Sequence, residues 1–332
     1  TTGASNTAVG SAALASNTTA ADNTAVGTSA LISNTTGHSN VGVGKSALAA
    51  NTTGSNHTAV GLGALDANTT SAANSAFGRD ALGANTTGND NTALGYASLF
   101  SNTTASNNTA VGLKSLYANT TASNNTAVGL FAMGVNTTGD YNTAVGGNSL
   151  DANTTGANNT ALGYQALSGN TTAAANTAVG TYALLANTTG ASNVAVGFQS
   201  LRTSTTALEN TAVGYQTLYA TTTGASNTAM GMQAGTALTT GATNVIIGYK
   251  AGYYSNGLTT GTDNTIIGAF ARSSSSTIGG EIAIGRFVLG QGAATATVGL
   301  NGQGATISLD GSDTSWAAHS DQRLKENITT ST

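Results

Sequence analysis

The sequence predicts an all-β protein, a parallel β-roll or β-solenoid wound in 17-residue coils. Three observations predict it. A glycine recurs at Gly10, Gly27, Gly44 and onward to Gly248, fifteen copies at a spacing of 17 with no slip. Two short apolar-centred segments hold a fixed phase to that glycine in each repeat. The 332 residues contain no proline at all, as expected where every interior amide must donate to a neighbouring coil.

The first segment ends on the glycine. The residue before it is Val9, Val26, Val43, Val60, Phe77, Leu94 or Val111, always large and apolar. Thr-Ala-Val-Gly is poor helix material and fits a short strand. The second segment places Leu14, Leu31, Leu48, Leu65, Leu82, Leu99, Leu116 and Met133 four residues after the glycine, each preceded by a small residue such as Ala13 or Ser98. A turn-like Asn-Thr-Thr follows at Asn17, Asn34, Asn51 and eight further repeats. Each unit therefore reads as two short strands and two turns, with the Val and Leu rows facing inward and Ala and Gly letting the walls approach. One unit cannot bury its own apolar face, whereas stacked units form a continuous core. Roughly seventeen coils at about 4.8 Å would give a rod of about 80 Å.

Past Gly248 the spacing becomes 20 to Gly268, 17 to Gly285 and 14 to Gly299, with a longer turn expected in Ser255–Asp263. The expected organisation is regular coils over 1–254, irregular final coils over 255–303, a distal tip over 304–319, and a separate segment from 320 to 332.

Composition excludes several classes. Charged residues make up 7% of the chain, against roughly 25% in ordinary soluble domains, so Asn, Thr and Ser must build the polar surface. With a net charge of −4 and no basic stripe, the footprint of a nucleic-acid binder is missing. No run of about 18 apolar residues exists to form a membrane-spanning helix. The absence of Cys removes disulfides and thiolate metal sites, and no cofactor is implied. The opening Thr1-Thr2-Gly3-Ala4-Ser5 is not a signal peptide. It already lies inside the repeat, and the chain is expected to be a fragment.

A lone roll has a thin core. Two large side chains per coil contribute roughly 1.5–3 kcal/mol each, while ordering a residue costs about 1–2 kcal/mol. Association through the Ala/Gly-rich wall is therefore expected.

Asn-Thr-Ala-Val-Gly, repeated from Asn6 to about Gly285, resembles the head repeats of YadA-like trimeric autotransporter adhesins. That resemblance implies a left-handed β-roll and a homotrimer. The period of 17 exceeds the family repeat, so the turns must be longer. The longer unit Asn-Thr-Ala-Val-Gly-x-x-Ala-Leu-x-x-Asn-Thr-Thr-Gly is similar to repeats of predicted phage tail-fibre proteins. Ser320-Asp321-Gln322-Arg323-Leu324-Lys325-Glu326-Asn327-Ile328 resembles the opening of the intramolecular chaperone domain of phage tail fibres and endosialidase tailspikes. By that resemblance the scissile bond is His319–Ser320, Ser320 is the nucleophile and Lys325 its activator. The Lys needs a lowered pKa to act as a base, and this chain carries too little of the domain to be active. The resemblances imply the shaft of a tail fibre in a virion, a rigid trimeric spacer with other tail proteins upstream and a host glycan or protein receptor beyond. The alternative is a trimeric adhesin on a bacterial surface.

The remaining signals have structural readings beside functional ones. Asn-Thr-Thr matches the glycosylation acceptor pattern, but Asn and Thr also satisfy turn backbones and stack in ladders, and the latter fits the spacing. Thr ladders suggest ice binding, yet Thr18 and Thr19 would point to opposite faces. His38, His57 and His319 read as surface residues. The in-phase acids Asp22, Asp90 and Glu209, and separately Asp66 and Asp151, are four or more coils apart, so no catalytic carboxylate pair is visible. Tyr215, Tyr219, Tyr249, Tyr253 and Tyr254 cluster. They suggest either carbohydrate stacking or capping of a trimer core. Tyr253, Tyr254 and Trp316 are the receptor-binding candidates.

Overall fold

The structure is a computed structural model that describes residues 3–253, 257–310 and the backbone of 317–318. It comprises two compact units, 1–176 and 177–332. Both are all-β, and no helix occurs among the described residues.

Unit 1 is a parallel β-solenoid. Its strands run from β1 (Thr7–Val9) to β10 (Thr160–Leu162), each of three residues. Consecutive strands pair in parallel with every partner offset by 17, as in Thr7↔Thr24 and Val9↔Val26. The turns are laddered as well. In the second coil, Thr24 N–H donates to Asn40 O and Leu31 N–H to Ala47 O on one side, and Gly27 N–H to Val9 O and Ser29 N–H to Ser11 O on the other. A proline at any of these sites would orphan a carbonyl, which is the physical reason for its absence.

The coil has one strand, not the two expected. The Ala13-Leu14 segment is a second wall made of turns, with φ near +50° at Leu31, Leu48, Leu65 and their equivalents and another positive φ two residues earlier. A closed coil this short must bend sharply, and left-handed residues bend it while keeping Leu pointed inward. An L-residue pays about 1–2 kcal/mol for that conformation. Burying the Leu contributes about 1.5–3 kcal/mol, and Leu31 through Leu167 are fully buried.

The expectation that Val and Leu both face inward fails for Val. Strand alternation puts the middle residue inside, so Ala25, Ala59 and Ala76 are fully buried while Val9 is 58% exposed and Val26 half-buried. The interior has room for one large side chain per coil. Gly42 stands where its neighbours have Ala, and a Cβ there would already touch the Leu31 side chain at 3.4 Å. The Ala row is therefore the inside of the coil, which also overturns the expected association through an Ala/Gly wall.

Three side-chain ladders complete each turn. In the Asn17 column, Asn51 Nδ2 donates to Asn34 Oδ1 at 2.9 Å and to Gly54 O at 3.0 Å. The pattern continues to Asn170 on Asn153 at 2.8 Å. In the Asn6 column, Asn40 Oδ1 accepts the backbone N–H of residue 57, and Asn40 Nδ2 donates to Gly54 O. In the Thr18 column, Thr35 Oγ1 donates to Thr52 O.

Unit 2 is built from the same kind of coil, from β11 (Thr177–Val179) through β15 (Val245–Ile247) and β16 (Thr265–Ile267) to β17 (Glu281–Ile284). Here the interior changes. The Leu position becomes Gly235 and then Gly252, and the strand Ala becomes Ile246 and then Ile266. A Cβ on Gly235 would lie 2.9 Å from Ile246 Cδ1, so the large side chain has moved from one wall to the other. The Asn17 column turns apolar in parallel, through Ser204 and Thr221 to buried Leu238 and Leu258. The three extra residues of the 20-residue coil enter between Gly252 and Leu258, because Thr239 already bonds Thr259 at an offset of 20. This is slightly before the turn expected in Ser255–Asp263.

Glu281 ends the Asn6 column. It is fully buried, its N–H donates to Asn264 Oδ1, and its carboxylate accepts N–H groups from Ser274 at 2.9 Å and Gly292 at 2.8 Å. After a 14-residue coil, β18 (Thr295–Leu300) pairs with β17 in parallel, then with β19 (Gln303–Ser308) in antiparallel fashion. This hairpin crosses the expected change at 303/304. Its two-residue loop, Asn301-Gly302, has φ of 52° and 76°, as a type I′ turn requires. The short β20 (Ala317–Ala318) adds an antiparallel partner to β19.

Candidate interaction surface and carboxylate groove

Side chains fixed by the scaffold account for most of the repeat residues singled out in the sequence. Gly10 and Gly27 have φ of 132° and 136°, and a Cβ on Gly27 would lie 2.5 Å from Gly44 O. Leu14, Leu31 and Asn34 are buried, and Asn17 is partly buried at the end of its column. Asn34 and its fully buried equivalents use their amides in the ladder, the structural reading of the Asn-Thr-Thr pattern. The Thr18-column hydroxyls are likewise committed to carbonyls, while the following Thr, as at Thr36, faces solvent.

The surface that remains is apolar on one stripe. The outward column of Val9 is apolar in all ten coils of unit 1, with Phe77 and Leu94 exposed. Beyond the glycine, the column of Ser11 carries Leu62, Tyr96, Leu113, Leu130 and Tyr164, all exposed. Unit 2 repeats the pattern with Met230 in the first column and Phe198, Tyr215, Met232 and Tyr249 in the second. Phe198 stacks on Tyr215, their centroids 5.4 Å apart. Sequence reasoning missed this stripe because it assigned the Val row to the core. The signal was available: a two-residue alternation lets either Ala or Val face inward, and only the size of the interior decides.

The structure also brings Asp66 together with Asp80, an acid that the sequence reading did not consider. Asp66 and Asp80 lie on adjacent coils, out of phase with one another. A Cβ on Gly63 would be 2.9 Å from Asp80 Oδ1 and 4.0 Å from Asp66 Oδ2, so both carboxylates reach the same glycine. Comparing only in-phase columns hid this pair. The left-handed turn folds the Asp66 position back beside the stack on which Asp80 stands. They border an open groove of about 370 Å³ with Gly83, Ala84 and Phe100, and Lys45 lines the adjoining hollow. Burial, and to a smaller extent Asp80, push the Asp66 carboxyl up from its ordinary value, against a backbone hydrogen bond from Ala67. Asp80 is ion-paired with Arg79 at 3.0 Å. Two carboxylates beside one groove are the residue types of a glycosidase pair, here with Asp80 engaged by Arg79 and the groove open to solvent.

His57 is not the surface residue that was expected. It replaces Asn in the Asn6 column and is buried. Its Nδ1 accepts the N–H of Asn74 at 3.1 Å and its Nε2 donates to Ser71 O at 2.8 Å. The ring thus reproduces the acceptor and donor of an asparagine amide. Burial lowers its pKa below 6.5, against the backbone contacts of Ser71 and Asn74. His38 is exposed. Tyr253 is 37% exposed, with Lys250 Nζ 5.0 Å from its ring centroid. Tyr254, Trp316, His319, Ser320 and Lys325 lie outside the described residues. Among the described residues no three His, Cys, Asp or Glu side chains converge on a metal position, and no helix is long and apolar enough to cross a membrane. Searches of protein-family models, curated proteins and solved structures find no match to this chain.

Proposed function

We propose that this chain is the shaft of a phage tail fibre, a stiff homotrimeric spacer that holds receptor-binding parts away from the virion. The observation that carries the reading is the laddered solenoid. Within each unit, coil bonds to coil through backbone amides as well as through Asn and Thr side chains, which suits a mechanical element. The tail-fibre assignment within that class leans on the Asn-Thr-Ala-Val-Gly and Ser-Asp-Gln-Arg-Leu-Lys resemblances. Ser320 and Lys325 belong to this proposal only as a self-processing pair that works within a complete chaperone domain. Tyr253, Tyr254 and Trp316 stay in it as candidate receptor contacts.

The test is sedimentation equilibrium of native material, intact mass of the denatured chain and negative-stain electron microscopy. Three chains in a slender particle are the expected result. A chain ending at His319 would add self-processing, and one running past Ser320 would remove it. A stable single chain would sink the trimeric shaft.

A further inference from the structure

The outward stripe is a surface feature that the fold itself does not use. In unit 1 it comprises ten residues of the Val9 column and five of the Ser11 column. At roughly 60–70 Å² each they expose on the order of 1,000 Å² of apolar surface, against about 300–600 Å² for the largest patch on a typical monomer and about 800 Å² per partner in a standard interface. A solvated sheet face would alternate toward polar residues. The Val9 column does not do so in any coil of unit 1, although position 7 on the same outward face is Thr in eight of the ten. Apart from Val41, the apolar residues thus keep to one edge of that face.

The geometry points to a second copy of this chain as the occupant of the stripe, laid alongside with its own stripe facing inward. The Val9 column is apolar in every coil of unit 1 and the Ser11 column in five of the ten, so a partner with the same axial period is the one that can meet every rung, and an identical solenoid is such a partner. Charge gives a second argument. Within unit 1 the stripe carries only Lys45 and Arg79, and Arg79 is paired within its own chain to Asp80. A partner selected by charge has nothing to read there, whereas a copy needs no opposite charge. The Leu, Phe, Tyr and Met side chains have the sizes that fill a dry seam. Unit 2 presents the same two columns, with Met230, Met232 and Tyr249. The inference deepens the fibre reading and rests on it for the number of copies, but it moves the seam from the Ala/Gly wall to the Val and aromatic columns.

Because the chain has no cysteine, a single introduced thiol reports its own surroundings. Leu113→Cys lies in the stripe, and Thr121→Cys lies on an exposed turn. Each is made in the full chain, and its native rate of reaction with a bulky maleimide is measured beside the sedimentation mass. We expect a multi-chain particle in which Leu113→Cys reacts about 100-fold more slowly than Thr121→Cys, with the difference abolished by denaturation. A multi-chain particle in which both thiols react alike would overturn the stripe while leaving the fibre reading intact. A single-chain particle with both thiols reactive would overturn both. Leu113→Lys supplies an independent arm. It should lower the mass of the particle, and a Leu113→Lys particle that is unchanged in mass and stability refutes the seam.

Discussion

Removing Asn119 should cost stability through the partners it leaves behind. Its Nδ2 donates to Asn102 Oδ1 at 3.0 Å and to Ala122 O at 2.9 Å, and its Oδ1 accepts from Asn136 Nδ2 at 3.1 Å. Ala122 O keeps a donor in Asn108 Nδ2. Asn119→Ala therefore orphans one acceptor, Asn102 Oδ1, and one N–H of Asn136, both in fully buried residues. At about 1–3 kcal/mol per buried orphan the substitution should cost about 3 kcal/mol. Asn136→Ala should cost a similar amount by orphaning Asn119 Oδ1 and one N–H of Asn153. The double variant removes both ends of the broken link, so it again leaves only two orphans, Asn102 Oδ1 and the Asn153 N–H. It should cost about 3 kcal/mol in total, no more than either single variant, not the roughly 6 kcal/mol of independent sites, a coupling of about 3 kcal/mol. Urea unfolding followed by circular dichroism at one fixed protein concentration, for the wild type and all three variants, measures it. Fixed concentration matters because assembly adds to apparent stability. Additive losses, or single losses below about 1 kcal/mol, would refute the ladder as a shared hydrogen-bond chain.

Three further outcomes follow from the same geometry. His57 is held below 6.5 in the fold, so as pH falls through 6.5 the unfolded chain takes up a proton that the folded chain does not. Stability should then fall by up to about 1.4 kcal/mol per pH unit until the folded-state pKa is reached. In His57→Asn this component of the pH dependence should vanish from thermal melts. Gly112→Ala places a Cβ 2.5 Å from Gly129 O at a φ of 129°, and should cost more than about 4 kcal/mol, read as loss of soluble, folded protein. Glu281→Gln turns one acceptor of two backbone N–H groups into a donor. It should cost about 2 kcal/mol and selectively deprotect Ser274 and Gly292 in hydrogen exchange, while the coils of unit 1 stay as protected as in the wild type.

The period, the parallel stacking and the inward Leu were legible in the sequence, because a fixed spacing forces identical residues into columns. What was not legible depended on cross-section. Whether Ala25 or Val26 faces inward is a question of how far the Leu31 wall stands from the strand, and a one-dimensional pattern carries no such distance. The second wall was misread as a strand because Leu seldom adopts a positive φ. Here the bonds from coil to coil repeat so regularly that each Leu is held in that conformation by its neighbours. Asp66 and Asp80 escaped notice because contact between columns depends on how the turn folds back. His57 was placed at the surface as a lone polar residue, although its spacing of 17 from both Asn40 and Asn74 puts it in the buried column. The Asn301-Gly302 turn was readable from its residues alone, because Asn-Gly readily takes the two positive φ angles of a two-residue hairpin loop.

The exchange of bulk between walls at Gly235 and Ile246 bears on how such an array could change length in evolution. A coil with Ala on the strand and Leu in the turn presents the same interior to the coil before it and the coil after it. Within unit 1, unequal recombination could therefore add or delete one whole coil and leave the Ala/Leu interior intact. Past Gly235 the interior changes from coil to coil, pairing Ile246 on the strand with Gly252 in the turn, then Ile266 with Arg272, then Ala283 with Leu289, and a transplanted Ala/Leu coil would press its Leu against Ile246 or Ile266. A Gly/Ile coil moved the other way would open a void. Length could thus drift among the uniform coils, while the segment from Gly235 to the Asn301-Gly302 hairpin would have to move as one piece.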